Sequence, residues 1–161
     1  MAHEARLTTA LRELLAAQRV AALGTLGDDG APFVSMVPFA VDMLDRSLVI
    51  HISGLAAHTR NLQRAPRASL MVCQAEVAGE PVHALPRVTL DIEANDAAAG
   101  ADAQACRAAY LARFPEAEPM TALGDFRFVR LRPLGARQVA GFGAARSLDA
   151  AELALALGPA T

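Results

Sequence analysis

Residues 20–41 read VAALGTLGDDGAPFVSMVPFAV, and their pattern indicates the type of fold. Two runs rich in strand-forming residues flank the segment 27–30, and its Asp29-Gly30 pair is a signal for a tight hairpin turn. We therefore predict an antiparallel hairpin. Pro38 interrupts the second run, and proline cannot donate a hydrogen bond to a neighbouring strand. We expect a bulge or a sheet edge near Pro38, a position at which binding sites are often found.

The rest of the chain continues as short strands and helices. Leu7, Leu11 and Leu14 recur at helical spacing and predict an N-terminal helix over about 4–18. Apolar patterns predict further strands at 47–53, 67–73, 86–94 and 126–131, with 138–143 as a candidate for a last short strand. Helices are predicted at 56–64, 101–114 and about 149–156, the last from the capping-box spacing of Asp149 and Glu152. Loops are predicted at 74–85 and after Phe114, where Pro115 and Pro119 occur.

This order of elements predicts an α+β fold. Consecutive strands joined by turns favour an antiparallel sheet that closes into a small barrel, with helices on its flanks. The chain has 161 residues, of which 53% are apolar, and this is enough for one hydrophobic core. We expect a single domain over 1–161, with the barrel spanning about 20–143.

Charge and composition exclude several classes of function. The formal net charge is −2, so we expect no nucleic-acid partner. All 15 basic residues are arginines, which excludes mechanisms that need a lysine. No run approaches the roughly 18 apolar residues of a membrane span, so we expect no membrane partner and a cytoplasmic protein. Cys73 and Cys106 stand far apart and are interpreted as small core residues of a protein in a reducing compartment.

One segment carries the residue types of an anion site. Residues 53–62 read SGLAAHTRNL, where a predicted strand gives way to a predicted helix. The free N–H groups and the dipole of a helix N-terminus favour an anion. With Ser53, His58, Thr59 and Arg60 beside them, we interpret the segment as a candidate phosphate cradle. Ordinary helix capping is an alternative that the residues alone leave open.

A second candidate is the proline-interrupted strand from Ser35 to Ala40, whose backbone groups are suited to the edge of a planar ring. An irregular barrel strand explains the same pattern. The four histidines include no pair at metal-ligand spacing, so no metal site is predicted. The chain has no Gly-x-Ser-x-Gly motif, and a hydrolase is set aside. The arginine pairs 64/67 and 130/132 are interpreted as solvent-exposed faces of helices or strands.

Six ordered motifs resemble the pyridoxamine-5′-phosphate-oxidase-like FMN-binding split barrels, especially the branch that includes haem-utilisation proteins. The motifs are GTLGDDGAP at 24–32, SGLAAHTRNL at 53–62, PRASL at 66–70, LPRVTL at 85–90, YLARFP at 110–115 and GDFRF at 124–128. The resemblance runs from about Leu14 to Leu153 and passes through GFG at 141–143. It implies an antiparallel FMN-binding split β-barrel.

The resemblance also implies a cofactor site and a partner. Relatives wrap backbone around the isoalloxazine ring of FMN at the positions of Ser35, Met36, Val37, Pro38 and Phe39. They bind the phosphate of FMN in the segment that here contains Ser53, His58, Thr59, Arg60 and Asn61. The implied assembly is a homodimer with FMN at the interface.

Two departures limit what the resemblance implies about activity. The oxidase has an Arg-x-His element near its C-terminus, whereas residues 135–143 read GARQVAGFG. Arg146 stands where many haem-utilisation relatives place a histidine. The resemblance therefore does not predict pyridoxamine phosphate oxidation or haem turnover for this chain.

Three functions follow from the sequence. The main hypothesis is an FMN-dependent oxidoreductase that acts on a small-molecule substrate or electron acceptor, with the flavin supplying the redox chemistry and no catalytic side chain assigned. His51 and Arg137 are guesses for residues that face the ring. The alternative is a haem- or flavin-binding module without turnover. A third hypothesis is an interaction domain without a ligand, since a fold does not fix a function.

Overall fold

The computed structural model describes residues 2–97 and 99–160, without the side chain of residue 4. Its helices are α1 (Ala2–Ala17), α2 (Ala57–Arg64), α3 (Ala101–Arg113) and α4 (Ala150–Leu157). Its strands are β1 (Val20–Leu26), β2 (Pro32–Pro38), β3 (Ala40–Asp42), β4 (Ser47–Ser53), β5 (Arg67–Cys73), β6 (Arg87–Asp96), β7 (Phe126–Val139) and β8 (Ala145–Asp149). The α+β class, the flanking helices and the β1–β2 hairpin are confirmed.

All strand pairs are antiparallel, in the order β2-β1-β5-β6-β7-β4-β3, and β8 pairs with β7. The two strands at opposite ends of this order, β2 and β3, are separated along the chain by Phe39 alone. The sheet must therefore curl until its ends approach each other. Phe39 is fully buried at this crossing. The break expected near Pro38 is confirmed, because the chain leaves one edge of the sheet there and joins the other.

The main core fills the inside of the curled sheet. Leu23, Ile50, Leu90 and Leu131 point inward from four different strands and are fully buried. Leucines of α1 and α4 close the open side of this core. Burying such side chains stabilises the fold by about 1.5–3 kcal/mol each. The capping box expected for the last helix is present, because Asp149 and Glu152 each accept a hydrogen bond from the other's backbone N–H.

A second, smaller core lies between the sheet and α3. It contains Cys106 and Tyr110 of α3 and Phe114 directly after this helix, packed against Val49 of β4. The first six residues of β4 are buried, because α3 covers the outer face of this strand. Burial raises the pKa of Cys106 to about 11, so this thiol stays protonated and serves as a core residue.

The last third of the sheet differs from the sequence expectation. We expected strands at 126–131 and 138–143, whereas β7 runs without a break from Phe126 to Val139. A bulge accommodates the breaker residues, because Pro133 and Gly135 pair with adjacent residues of β6 and leave Leu134 as an extra residue. The strand β8 was not predicted. The segment after Phe114, expected to be a loop, is a 3-10 helix over Pro115–Ala122.

The interpretation of Arg130 as solvent-exposed is wrong. Arg130 is 2% exposed, and its guanidinium lies 3.0 Å from Asp42 Oδ2, 3.0 Å from Asp45 Oδ2 and 2.6 Å from Asp102 Oδ1. It also donates to Ser47 Oγ at 2.7 Å. We call these five residues the Arg130 cluster. The cluster joins the β3–β4 turn, β7 and the first turn of α3. Its neighbour Arg132 is exposed, as expected.

Candidate functional site

The candidate site is built where β4 gives way to α2. The helix begins after Ala56, and no described side chain caps its N-terminus. Gly54 donates a backbone hydrogen bond to Asp125 O, and a Cβ on Gly54 would lie only 3.1 Å from that oxygen. The connection therefore passes close to the turn before β7. An uncapped helix start with free N–H groups is suited to an anion.

Three of the five side chains of the expected phosphate cradle are engaged within the protein. Ser53 donates to Asp125 Oδ2 at 3.0 Å. Thr59 is buried and donates to the carbonyl of Ser53. Asn61 is buried and donates to Thr25 Oγ1 at 3.0 Å. The bonds of Thr59 and Asn61 hold α2 against β4 and β1, and that of Ser53 joins the end of β4 to the turn before β7. These bonds are structural, but none of them is the helix cap given as the alternative.

The remaining two side chains, His58 and Arg60, have polar atoms that face outward. His58 is half-buried, and its Nδ1 lies 2.9 Å from Ser35 Oγ of β2. No described group lies within hydrogen-bond distance of its Nε2. Burial lowers the pKa of His58 below 6.5, so the ring is neutral at pH 7. Arg60 is exposed and donates to the carbonyl of Leu55 at 2.8 Å, which leaves the rest of its guanidinium free for a ligand.

The five positions expected to wrap around a ring are divided between two faces of β2. Val37 and Phe39 are buried in the core and cannot contact a ligand on the outside. Ser35 and Met36 line an outward cavity of about 380 Å³. Pro38 is half-buried and pairs with Val20 of β1. The side chain of Ser35, on the same side of β2 as Val37, contacts His58, whereas Met36 points to the opposite, outer face.

The outer face of β2, β1 and β5 is apolar and exposed. Val34 is 67% exposed and Met36 65% exposed, and both point away from the core. Val20 and Met71 of the neighbouring strands extend the same face. Ala22 lies between Met36 and Met71 in the sheet register. Contiguous apolar surface of this kind marks a site of contact with a partner or ligand.

A third feature lies at the other end of α2. A cleft of about 430 Å³ is lined by Arg60 and Arg64 and also by Asp28 and Asp29 of the β1–β2 turn. The charges of these four residues cancel. Together with the Asp125 carboxylate against Ser53, this balance weakens the attraction for a dianionic phosphate.

Sequence reasoning missed Asp125 and misplaced His51. Asp125 lies in the turn before β7, and nothing in its spacing from Ser53 indicates that the two meet. His51 is 8% exposed and packs against Phe128, with ring centroids 4.4 Å apart, and against Tyr110. Its side chain faces the second core rather than the apolar outer face. Arg137 lies on β7 opposite Ser147 of β8.

Comparison with known proteins assigns the chain to a family. The model of the family described as pyridoxamine 5′-phosphate oxidase matches residues 7–140. The chain belongs to this family. The resemblance drawn from the six motifs is thereby confirmed, and so is the split-barrel fold.

Several relatives of this chain carry haem in their names. The chain is 37% identical over 118 residues to the non-canonical, chloroplastic heme oxygenase HOZ of Arabidopsis thaliana. The aligned region covers 73% of this chain and 34% of HOZ. It is 28% identical over 152 residues to the heme oxygenase HutZ of Vibrio cholerae, and the aligned region covers 93% of this chain and 85% of HutZ. A solved structure of a heme binding protein from Mycobacterium smegmatis has 31% identity and a TM-score of 0.81 over 92% of this chain.

These relatives differ in length from the chain. It spans about a third of HOZ and 60% of the Mycobacterium smegmatis chain. Within residues 2–97 and 99–160, no helix is long and apolar enough to cross a membrane. The same part of the chain contains no group of three His, Cys, Asp or Glu side chains placed to hold a metal ion.

Proposed function

We propose that this chain is a haem-binding protein, the function that we weighed as the alternative to an FMN oxidoreductase. The observation that carries the proposal is that three relatives, at 28–37% identity, are all named for haem. Support from the structure comes from the neutral His58, which contacts Ser35 of β2, and from the apolar face on the other side of the same strand. A haem needs such a combination, because its macrocycle is apolar and its iron takes an imidazole nitrogen as ligand.

His58 has the environment of a metal-binding imidazole. Histidines that bind metals commonly use one ring nitrogen for the metal and the other for a hydrogen bond that fixes the orientation of the ring. In this protein Ser35 Oγ occupies Nδ1 at 2.9 Å, and Nε2 faces outward. Because burial lowers the pKa of His58, no proton has to be displaced at pH 7. We therefore assign His58 as the iron ligand and Ser35 as the residue that positions it.

The apolar outer face gives the macrocycle and a second copy of the chain a surface to cover. The side chains of Val34, Met36 and Met71 would otherwise remain in water. In a homodimer formed through this face, each copy contributes the same patch, and the ligand would lie at the free edge of β2, between this face and His58. Arg60 lies in the first turn of α2, and its exposed guanidinium is available to pair with a haem propionate. When bound, haem supplies the redox chemistry of its iron, and the chain supplies the ligand, orientation and shielding from water.

FMN is the second candidate for the same site. It is supported by membership of the family, by the uncapped N-terminus of α2 and by Arg60. The engaged side chains of Ser53, Thr59 and Asn61 weigh against it. An FMN-dependent oxidoreductase would use the same dimer interface and leave the redox step to the flavin.

Titration with haem, followed by the Soret absorbance, tests the proposal. We expect saturable binding to the wild type, and we expect His58→Ala to weaken it at least tenfold and to move the Soret maximum. His83→Ala is the matched control, because His83 lies in an exposed loop. Equal spectra for the wild type and His58→Ala would overturn the assignment of the ligand. Tight FMN binding that depends on Arg60, without haem binding, would establish the second candidate instead.

A further inference from the structure

Two adjoining cavities lie on a part of the molecule that shares no lining residue with the His58 site. The first, about 720 Å³, is bordered by α1, the β3–β4 turn, β8 and the end of α4. The second, about 470 Å³, lies between α1, α3, β3 and α4. They meet at Arg12, Gly158 and Ala160, which line both. We call the combined space the arginine cleft.

Three guanidinium groups face the first cavity. They belong to Arg12 of α1, Arg46 of the β3–β4 turn and Arg146 of β8. Among the described residues, none of the three forms an ion pair. The carboxylate of Glu152 lines the same cavity, but its Oε2 accepts the backbone N–H of Asp149 at 2.8 Å in the capping box. The cavity therefore carries an excess of positive charge.

The three arginines contact neutral groups. Arg12 donates to the carbonyl of Gly158 at 3.0 Å and to a second carbonyl of α4. Arg146 donates to Gln138 Oε1 at 2.9 Å and to Thr8 Oγ1 at 3.1 Å. The Nε of Arg46 lies over Gly158, 3.1 Å from the position that a Cβ would take. The hydrogen bonds hold Arg12 and Arg146 in place, and none of the three charges is neutralised by these contacts, which favours an external anion.

The second cavity is apolar. Leu15, Val41, Met43 and Leu157 line it, together with alanines of α3. Its polar groups are Arg12 and Arg113, and Arg113 is engaged with backbone carbonyls at the end of α1. An apolar chain or ring in this cavity would place an attached anionic group near Arg12, where the two cavities meet. A bare anion would leave this half of the cleft unused.

We infer that the arginine cleft binds an amphipathic carboxylate, with its carboxylate near Arg46 and Arg146 and its apolar body between α1 and α3. Charge complementarity identifies the head group, because three positive charges and one engaged carboxylate surround it. The lining of the second cavity identifies the apolar body. The inference goes beyond the proposed haem function and uses none of the residues assigned to it.

Octanoate is the probe for this inference, with binding followed by heteronuclear NMR below the micelle concentration. We expect saturable shifts at Arg46, Val41 and Leu157, weaker binding of octan-1-ol, and little binding of acetate or inorganic phosphate. Arg46→Gln should weaken octanoate binding about tenfold, since it removes a charge that faces the ligand. Arg6→Gln is the matched control, because Arg6 makes the same charge change on another face of α1.

A second variant tests the apolar half. Ala112 is exposed on α3 and lines the second cavity, so Ala112→Leu fills the cavity without disturbing the core. We expect this variant to lose octanoate binding and to unfold at the urea concentration of the wild type. Octan-1-ol binding as tight as that of octanoate, unchanged binding by Arg46→Gln, or the absence of saturable binding would overturn the inference.

Haem titration of Arg46→Gln separates the two proposals. Because Arg46 lies outside the His58 site, we expect this variant to bind haem like the wild type. Loss of octanoate binding with normal haem binding supports both proposals. Failure of octanoate with normal haem binding removes the arginine cleft alone, and failure of haem with octanoate binding intact removes the haem function alone.

Discussion

The Arg130 cluster and the arginine cleft balance arginine charge in opposite ways. In the cluster, one buried guanidinium contacts three carboxylates and a hydroxyl. In the cleft, Arg12 and Arg146 donate to neutral oxygens, and Arg46 lies over Gly158 without a hydrogen bond to the described residues. A buried charge must find its counter-charge within the chain, because removing it from water costs several kcal/mol. A charge beside a solvent-filled cleft has no such requirement, and its counter-ion can be a ligand.

The same turn supplies both regions. Asp42, Asp45 and Ser47 of the β3–β4 turn point to Arg130, whereas Arg46 points to the cleft. Arg46 adopts a left-handed backbone conformation with a φ of 56°, which is uncommon for a residue with a Cβ. This conformation turns the side chain of Arg46 away from those of its neighbours. Substitutions on each side of the turn test this difference between the two regions.

The largest effect is expected for Arg130→Met. The substitution leaves three carboxylates and Ser47 without their shared donor, and two of these groups are buried. Breaking a buried ion pair in this way costs about 3–5 kcal/mol of the free energy of unfolding. Urea denaturation would measure the loss. Arg132→Met is the control and should cost less than about 1 kcal/mol, because Arg132 is exposed. Similar losses for both variants would contradict the structural role of the Arg130 cluster.

A smaller effect is expected for Asp102→Asn. This carboxylate receives two N–H groups of Arg130 but is 54% exposed, so water compensates part of the loss. We expect the free energy of unfolding to fall by about 1 kcal/mol. Because Asp102 lies in the first turn of α3, hydrogen exchange should quicken in that helix before it does in β7. Uniform acceleration across the sheet would show that the cluster does not anchor α3 locally.

A pH-dependent effect is expected from His51, which packs against Tyr110 of α3 and Phe128 of β7. Burial lowers the pKa of His51 below 6.5, so the folded protein holds this proton less tightly than the unfolded chain does. Below about pH 6.5 the unfolded state therefore binds more protons, and the free energy of unfolding falls as the pH falls. His51→Phe should flatten this dependence between pH 7 and 5. An unchanged slope in urea midpoints would assign the dependence to His58, whose pKa is also lowered.

The smallest effect on stability is expected in the arginine cleft. Arg46 donates no hydrogen bond to the described residues, and two like charges lie beside the same cavity. Arg46→Gln should therefore change the free energy of unfolding by less than about 0.5 kcal/mol, even though it weakens octanoate binding. Thermal unfolding in the absence of added anions would measure the difference. A loss comparable to that of Asp102→Asn would show that Arg46 is a structural residue.

The local elements were predictable from the sequence because they depend on near neighbours. The hairpin signal at Asp29-Gly30, the capping box at Asp149 and the break at Pro38 all have the expected effect. The long strand β7 was not predictable from its own residues, because Pro133 is tolerated only through a bulge formed with β6. The extent of a strand depends on its partner, and the partner is distant in sequence.

The candidate site also combines features that the local sequence predicts with contacts between distant residues. The contact between His58 and Ser35 joins two segments that sequence reasoning had singled out separately, the cradle and the interrupted strand. The burial of Arg130 and the approach of Asp125 to Ser53 depend on pairs separated by 72–88 residues. Residue type and spacing carry no signal for such pairs in one sequence. The polarity of these side chains indicated solvent exposure, which their distant partners overrode.

The left-handed residue in the β3–β4 turn makes the length of that turn a determinant of electrostatics. With one residue more or fewer between Asp42 and Ser47, the side chains that follow would exchange sides. An arginine side chain would then point toward the interior, and a carboxylate would face the arginine cleft. An insertion in this turn would therefore alter the Arg130 cluster and the arginine cleft together.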